Sequence, residues 1–550
     1  MLRSFRFWFT TVVFTLTAVI LIGFVSSSDR YFYIKKNFTI LSEVYEEVSE
    51  SYVEEVDPER LMRNGINAML ETLDPYTVLV DEAESQRMDE MTTGQYAGVG
   101  LEVGARDGKL VVIAPIEGYS AHRKGIRAGD IIVEVDGIST DGMSSDDLQG
   151  LLRGEPDSEV ELKVERYGMD QEIEFELTRE TIEITNVSYS GLLEHDGDEK
   201  IAYVVLNRFA QNAAEEVRDE INELKDDGDL DGIMLDLRNN PGGLLTEAVN
   251  MVDLFVEPGI EIVSTQGRES DQNDSYESSQ APAFEDEPLI VLQNSGSASA
   301  SEIVSGAIQD LDRGIVAGER SFGKGLVQIV RPLSYNMALK ITTSKYYIPS
   351  GRSIQSLDFA GEEDSEEADI DDEDRTPFET KGGRTVYESI GIEPDVEAEE
   401  REESMVELSL LQESKYFFFA NQFYSDNDDY SELTDEIFQD FKAFLDDEEF
   451  TFQTRGQEYY DEFVSNLDDP MKEQASAELA ALNEVITEEQ ETQFDMHEDE
   501  IRASLHEELI SRYDGEDGRM KAAIRTDNVI NEALEYLTEL TLYQNFLEAE

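Results

Sequence analysis

One stretch restricts the fold of this chain more than any other. Pro288-Leu289-Ile290-Val291-Leu292 is a short unbroken apolar run, which reads as a buried strand. Small residues follow from Ser295 to Ser301. Ile303, Val304, Ala307, Ile308 and Leu311 then recur at helical spacing. A strand that turns directly into a helix is the repeating unit of an α/β sheet, and the neighbouring sequence repeats it. Ile201–Leu206, Gly232–Leu237 and Gly314–Ala317 read as strands, and Ala213–Leu224 and Leu245–Phe255 as helices. The alternation over residues 181–400 predicts a largely parallel sheet, with ligand groups gathered at the carboxyl ends of its strands.

Two loops sit at such ends. Ser299 stands at or just before a helix N-terminus, where free N–H groups and the helix dipole would stabilise an oxyanion. Ser299 with Glu302 equally fits a capping box, so position alone does not separate a nucleophile from a cap. The chain has no cysteine, which excludes a thiol nucleophile. Its histidines are His122, His195, His497 and His506, none near the serine in sequence, although a triad can recruit a distant one. Lys324, in Ser321-Phe322-Gly323-Lys324-Gly325, is the remaining base. A lysine serves as a base only where burial lowers its pKa, and by default it is a solvated surface group. Phe322 and the two glycines are expected to give Lys324 a close, partly desolvated setting. The second loop, Arg238-Asn239-Asn240-Pro241-Gly242-Gly243, follows the strand that ends at Asp236-Leu237. Its paired glycines would let a carbonyl oxygen approach the backbone, although by itself the pattern is only a turn signal.

The rest of the chain divides by composition. Residues 1–28 carry Arg3 and Arg6 before an uncharged run from Phe7 to Val25, the pattern of a signal anchor or a signal peptide with the N-terminus in the cytoplasm. Residues 29–91 are expected to be helical, with Asp57-Pro58 opening one helix. Residues 92–180 show glycine-punctuated alternating strands and a short helix near Ser145 to Leu152. Residues 401–550 place Phe417, Phe418, Phe419, Phe423, Phe438, Phe441 and Phe444 at helical spacing between acidic faces, which reads as a helical appendage that packs on the core or on another subunit. Residues 361–374 are an acidic loop. The formal net charge is −81, from 124 acidic and 43 basic residues spread along the chain. That excludes nucleic acid as a partner. It also predicts adaptation to high salt, where repulsion is screened. Without cysteine, redox chemistry says nothing about the compartment.

Ser297-Ala298-Ser299-Ala300-Ser301-Glu302-Ile303, then Gly318-Glu319-Arg320-Ser321-Phe322-Gly323-Lys324-Gly325, then Gln328, resembles the tail-specific, or C-terminal-processing, serine proteases. Ala121-His122-Arg123-Lys124-Gly125-Ile126-Arg127-Ala128-Gly129-Asp130 looks like part of a PDZ domain. The resemblance implies a protease core of ClpP/crotonase type over 181–400, a PDZ domain over 92–180, and helical N- and C-terminal regions. It implies that Ser299 is the nucleophile, Lys324 the general base and Gln328 the support of the lysine. Gly242 and Gly243 would form an oxyanion hole with the N–H of Ala300. The loop Gly98, Val99, Gly100 and Leu101 would take a peptide's terminal carboxylate, and the peptide would lie along Leu101–Val103 facing Leu148. No metal or other cofactor is implied. The partners implied are proteins or peptides with exposed C-termini, the membrane through the N-terminal segment, and a second copy of the chain through the helical regions. An inner-membrane-anchored or exported serine endopeptidase acting outside the cytoplasm is expected; the alternative is a non-catalytic PDZ adaptor on the same scaffold. Where related chains carry several glycines after the tyrosine matching Tyr387, this one has Glu388-Ser389-Ile390, which bears on that loop and not on the dyad.

Overall fold

The computed structural model describes residues 31–547 except 170, 195–198, 226–227, 356–374 and 389–390. The N-terminal segment 1–28, the acidic loop 361–374 and the pair Ser389-Ile390 therefore lie outside the described residues. Among the described residues, no helix is long and apolar enough to cross a membrane.

The chain forms two compact units. The first takes the described part of residues 1–82 together with 328–342. Its helix Pro58–Leu70 begins as the sequence predicts, with the Asp57 carboxylate accepting the N–H groups of Glu59 and Arg60. The turn after it is fixed by Asp74, which accepts Tyr76 N–H, Thr77 N–H and the Thr77 hydroxyl. That turn aims Val78–Val80 into antiparallel pairing with Ala338–Lys340.

The second unit, residues 83–327 and 343–550, contains the α/β core. Its six-stranded sheet runs in the order Val187–Glu194, Lys200–Leu206, Gly232–Asp236, Leu289–Gln293, Ile315–Gly318, Val396–Glu397. The first pair is antiparallel and the remaining pairs are parallel. Side chains alternate between two apolar layers. Ala202, Val204, Leu235, Val291 and Val316 face the helices Ala213–Lys225, Leu245–Asp253 and Ala300–Asp310. Ile201, Tyr203, Met234, Ile290, Leu292 and Ile315 face Val529, Ile530, Ala533, Leu534 and Leu537 of the helix Asn528–Thr538. The C-terminal region thus packs on the core, one of the two placements its sequence leaves open. Its last helices are the second layer of the core, and this is why the strands read as unbroken apolar runs. The Tyr543 hydroxyl in the helix Leu540–Leu547 fastens that layer, pairing with Leu289 N–H at 3.0 Å and Leu289 C=O at 3.2 Å.

Two further bodies complete the second unit. The strands Leu101–Arg106, Lys109–Pro115, Ile131–Val135, Glu159–Glu165 and Ile173–Thr178, with the short strand Ile138–Ser139 paired to Ile131–Val135, form a six-stranded antiparallel sheet with Leu101–Arg106 at its edge. It closes over the helix Ser145–Leu152 around Val112, Ile132, Leu148 and Leu162. The preceding part of the C-terminal region builds its own aromatic core from Phe419, Phe438, Phe441 and Leu505.

Two outcomes are expected. Ile530→Ala should destabilise the protease core by ~2–5 kcal/mol, as a buried large-to-small change does; a denaturant midpoint unchanged from wild type would make the helix an appendage after all. Burial also pushes the Glu507 carboxyl, on the helix Glu498–Thr526, up to about 7 from 4.5. A folded value above the unfolded one means a contribution fully present below pH 4.5 and lost as pH rises through about 7. Glu507→Gln should flatten the fall in melting temperature across that window.

Candidate active site

Ser299 ends the loop after the central strand Leu289–Gln293, and the helix Ala300–Asp310 starts at the next residue, buried along its whole length. The backbone at Ser299 has φ 57° and ψ −109°. For a residue with a side chain this conformation is strained by ~1–3 kcal/mol, and it persists only where the surroundings enforce it. The enforcement is visible. Ser297 Oγ donates to Leu237 C=O at 2.8 Å, Ala298 N–H to Asn240 C=O at 3.0 Å, and Ser301 Oγ to the same carbonyl at 2.8 Å. The serine loop is therefore stitched to the Arg238–Gly243 loop on both sides of the serine.

That second loop is held in turn from below. Asn240 Nδ2 donates to Leu206 C=O at 2.7 Å, and Asn239 N–H to Asn294 Oδ1 at 2.9 Å. Gly242, at φ 96°, lies against the serine so closely that a Cβ there would stand 2.7 Å from Ala300 N and 2.9 Å from Ser299 Cβ. Only glycine fits. Its own N–H donates to Asn240 Oδ1 at 2.9 Å. Gly243 pairs with Phe209 in an isolated bridge, and among the described residues the N–H groups of Gly243 and Ala300 donate to no protein acceptor.

Arg238 anchors the start of the loop. It chelates Asp236, with Nη2 at 2.7 Å from Oδ2, and reaches Asp527 at 2.8 Å. Asp527 is also the cap of the covering helix, accepting Ile530 N–H. Burial pulls the Arg238 guanidinium down, but Asp236 and Asp527 outweigh it and hold it above its usual value. Tyr203 Oη donates to Asp236 Oδ2 at 2.7 Å.

Lys324 is tied to Ser299 through Glu302. The Glu302 carboxylate is fully buried and accepts four hydrogen bonds. Oε2 takes Ser299 N–H at 2.7 Å and Lys324 N–H at 2.9 Å; Oε1 takes the Ser321 hydroxyl at 2.6 Å and Gly323 N–H at 2.7 Å. Burial raises this carboxyl's pKa, and the four donors work against that rise without reversing it. On the carbonyl side, Tyr346 Oη donates both to Ser299 C=O, at 3.2 Å, and to Lys324 C=O. Serine and lysine therefore share one acceptor at their amides and one donor at their carbonyls. Lys324 itself is half-buried.

Several expected residues fall into different places. Ser299, Ala300, Gly242, Gly243 and Lys324 gather at one site. Phe322 does not help to bury the lysine: it is 52% exposed, and it is Gly323 and Gly325 that let the chain pass, Gly325 N–H donating to Gln355 Oε1. Gln328 belongs to the first unit, where its amide donates to Thr342 Oγ1 at 3.2 Å. Gly98, Val99, Leu101 and Val103 line a groove in the PDZ-like body, and Gly100 makes its turn at φ 75°. Leu148 does not face that groove. It is 0% exposed in the core, and Gln149 and Leu152 line the groove instead. Sequence reasoning missed Glu302 beyond its capping spacing, and missed Tyr346, Asn240 and the Asp236–Arg238 pair. The available signal was an acid inside a buried small-residue helix start, where a charge needs several donors.

A strained serine at a strand–helix junction, bound to a lysine turn and standing on a sheet beside a peptide-groove module, defines a PDZ-bearing serine-type peptidase. Comparison with known proteins agrees. Residues 200–361 match peptidase family S41, residues 111–166 the PDZ domain, residues 406–537 the C-terminal helical domain of PDZ-proteases, and residues 25–84 the N-terminal domain of activating protease CtpB. The carboxy-terminal-processing protease of Bartonella bacilliformis is 36% identical over 325 residues, 58% of this chain and 73% of that one. The carboxyl-terminal-processing protease of Synechocystis sp. is 33% identical over 376 residues, 64% of this chain and 86% of that one. The carboxy-terminal processing protease CtpA of Bacillus subtilis is 30% identical over 363 residues, 64% and 76% of the two chains. The chain belongs to the carboxy-terminal-processing proteases of peptidase family S41.

Glu302→Gln would turn an NH2 group toward donors that need an acceptor. A loss of ~2–4 kcal/mol is expected, read from the denaturant midpoint of the protease core, with faster amide exchange at Ser299 and Lys324. An unchanged midpoint and unchanged exchange would mean that the carboxylate is not their shared anchor.

Proposed function

We propose that Ser299 and Lys324 are the catalytic dyad of an exported endopeptidase that captures protein C-terminal tails in its PDZ groove. The observation that carries this reading is the shared Glu302 oxygen, which fixes the main chain of both residues. In the reaction, neutral Lys324 Nζ takes the proton of Ser299 Oγ as that oxygen attacks a peptide carbonyl. The N–H groups of Ala300 and Gly243 receive the oxyanion, and Gly242 contributes the space that its missing Cβ leaves open. Lys324 then returns the proton to the departing amine, leaving an acyl-enzyme. Water opens the acyl-enzyme, giving its proton to the same lysine, which passes it to Ser299 Oγ as the ester bond breaks and the peptide acid leaves.

The uncharged run Phe7–Val25 behind Arg3 and Arg6 supports export, with residues 1–28 as anchor or signal peptide and the catalytic part outside the cytoplasm. Pairing of two chains through the helical regions belongs to the same reading. So does salt adaptation, supported by the net charge of −81: unfolding midpoints should rise with added salt, and maximal stability at low salt would remove the idea.

The direct test uses the purified chain without residues 1–28 and an unstructured protein substrate. Ser299→Ala and Lys324→Ala should each lower cleavage by roughly 10⁴-fold or more, and combining them should cost little extra, because the two act as one unit. Gly242→Ala should lower kcat strongly with a small effect on KM. Equal cleavage by wild type and both dyad variants would overturn the assignment.

A further inference from the structure

The groove of the PDZ domain is not walled by that domain alone. A cavity of about 400 Å³ is lined by Leu101 and Val103 of the edge strand and by Leu152 at the end of the helix Ser145–Leu152. Arg153, Met91 of the helix Glu82–Thr93, and Arg208 also line it. Arg208 comes from the protease core, two residues beyond the strand Lys200–Leu206.

Arg87, which is exposed, and the acids Glu90 and Glu102 complete the cavity's charged lining. Of the three arginines, the two that are half-buried, Arg153 and Arg208, differ in their state. Arg153 is already paired, with Glu90 Oε2 at 2.7 Å, and its guanidinium lies over the Tyr96 ring. Among the described residues, Arg208 has no carboxylate within ion-pair distance. Its Nη2 donates to Thr185 C=O at 2.9 Å, and its Nε is buried and donates to none among the described residues. Glu216, the acid whose charge reaches it, is taken by Asn186, accepting the backbone N–H at 2.7 Å and the side-chain amide at 2.6 Å. A half-buried cation without a counter-ion is unfavourable, and it is the more notable in a chain with 124 acidic residues. An anionic ligand would supply the missing charge and the missing acceptor. The arginine is also held in place for one. The next residue, Phe209, donates its N–H to Gly242 C=O at 3.0 Å and accepts Leu244 N–H at 2.8 Å, so its main chain is fixed before any ligand arrives.

We propose that Arg208 reads a carboxylate of the peptide held in this groove, so that part of the tail specificity is written in the protease core and not in the PDZ domain. This rests on the reading of the groove as a tail-binding site. The carboxylate can be the peptide's C-terminal one or that of an acidic side chain near it.

The test is made on the full chain carrying Ser299→Ala, which removes turnover from the measurement. Three fluorescent peptides are titrated by anisotropy: one ending Glu-Ala-Val with a free terminus, the same peptide with an amidated terminus, and the same with Gln for Glu. The free acid should bind about tenfold more tightly than whichever analogue lacks the carboxylate that Arg208 contacts, which tells the two sources apart. Arg208→Gln should abolish that tenfold difference for the same analogue. Arg208→Lys should retain most of it, which separates a lost charge from a lost fold. An undiminished difference in Arg208→Gln overturns the role of Arg208 and leaves tail capture standing. Failure of all three peptides to bind the Ser299→Ala chain overturns tail capture and this proposal together.

Discussion

One buried carboxylate holds the site together. Glu302 has no water to solvate it, so it must be satisfied by protein donors, and the four it has come from both sides of the site. Satisfying the charge therefore requires the serine loop and the lysine turn to be closed on one another. The strain at Ser299 follows from the same closure, since the amide must turn inward to reach Glu302 while the next residue starts the helix. Tyr346 repeats the link on the carbonyl side. The main chains of Ser299 and Lys324 are thus ordered before any ligand arrives, and in the proposed dyad such ordering is where much of a catalyst's advantage lies.

The sheet makes such a site affordable only because both its faces are covered. The helices Ala213–Lys225, Leu245–Asp253 and Ala300–Asp310 cover one face, and helices near the end of the chain cover the other. The two layers meet the Arg238–Gly243 loop through Arg238, which joins Asp236 at a strand end to Asp527 at the start of the covering helix. A change in the C-terminal region can thus reach the loop that carries Gly242 and Gly243 without touching it. The PDZ groove reaches the same loop from the other direction, through the main chain of Phe209.

Much of this was legible in the residues. Apolar runs of strand length, followed by helical periodicity, gave the parallel sheet and placed Ser299 at its junction, because burial on two faces leaves a strong signal. The glycines at 242 and 243 announced close approach, and the spacing of Ser299 and Glu302 announced contact between them. What stayed hidden depended on distant parts of the chain. Phe322 beside Lys324 suggested an apolar cover, yet a local neighbour need not point inward, and this one faces solvent. The resemblance implies a groove facing Leu148, but that side chain is wholly taken up by the core, and its helix neighbours Gln149 and Leu152 line the groove. The covering role of Val529 to Leu537 could not be read, because an amphipathic helix does not say which surface it meets. Glu302 looked like a cap; its other three donors come from a turn about twenty residues later, and no local pattern shows them.

The most direct measurement is the reactivity of Ser299 itself. With a fluorophosphonate probe and peptide mapping by mass spectrometry, the wild-type chain should carry the adduct at Ser299 and at no other serine. In Glu302→Ala, with helical content confirmed, the rate of adduct formation should fall at least about a hundredfold, although the serine and lysine are both present. Labelling of that variant at the wild-type rate would contradict the account, since the reactivity of Ser299 would then owe nothing to the carboxylate that ties its main chain to that of Lys324.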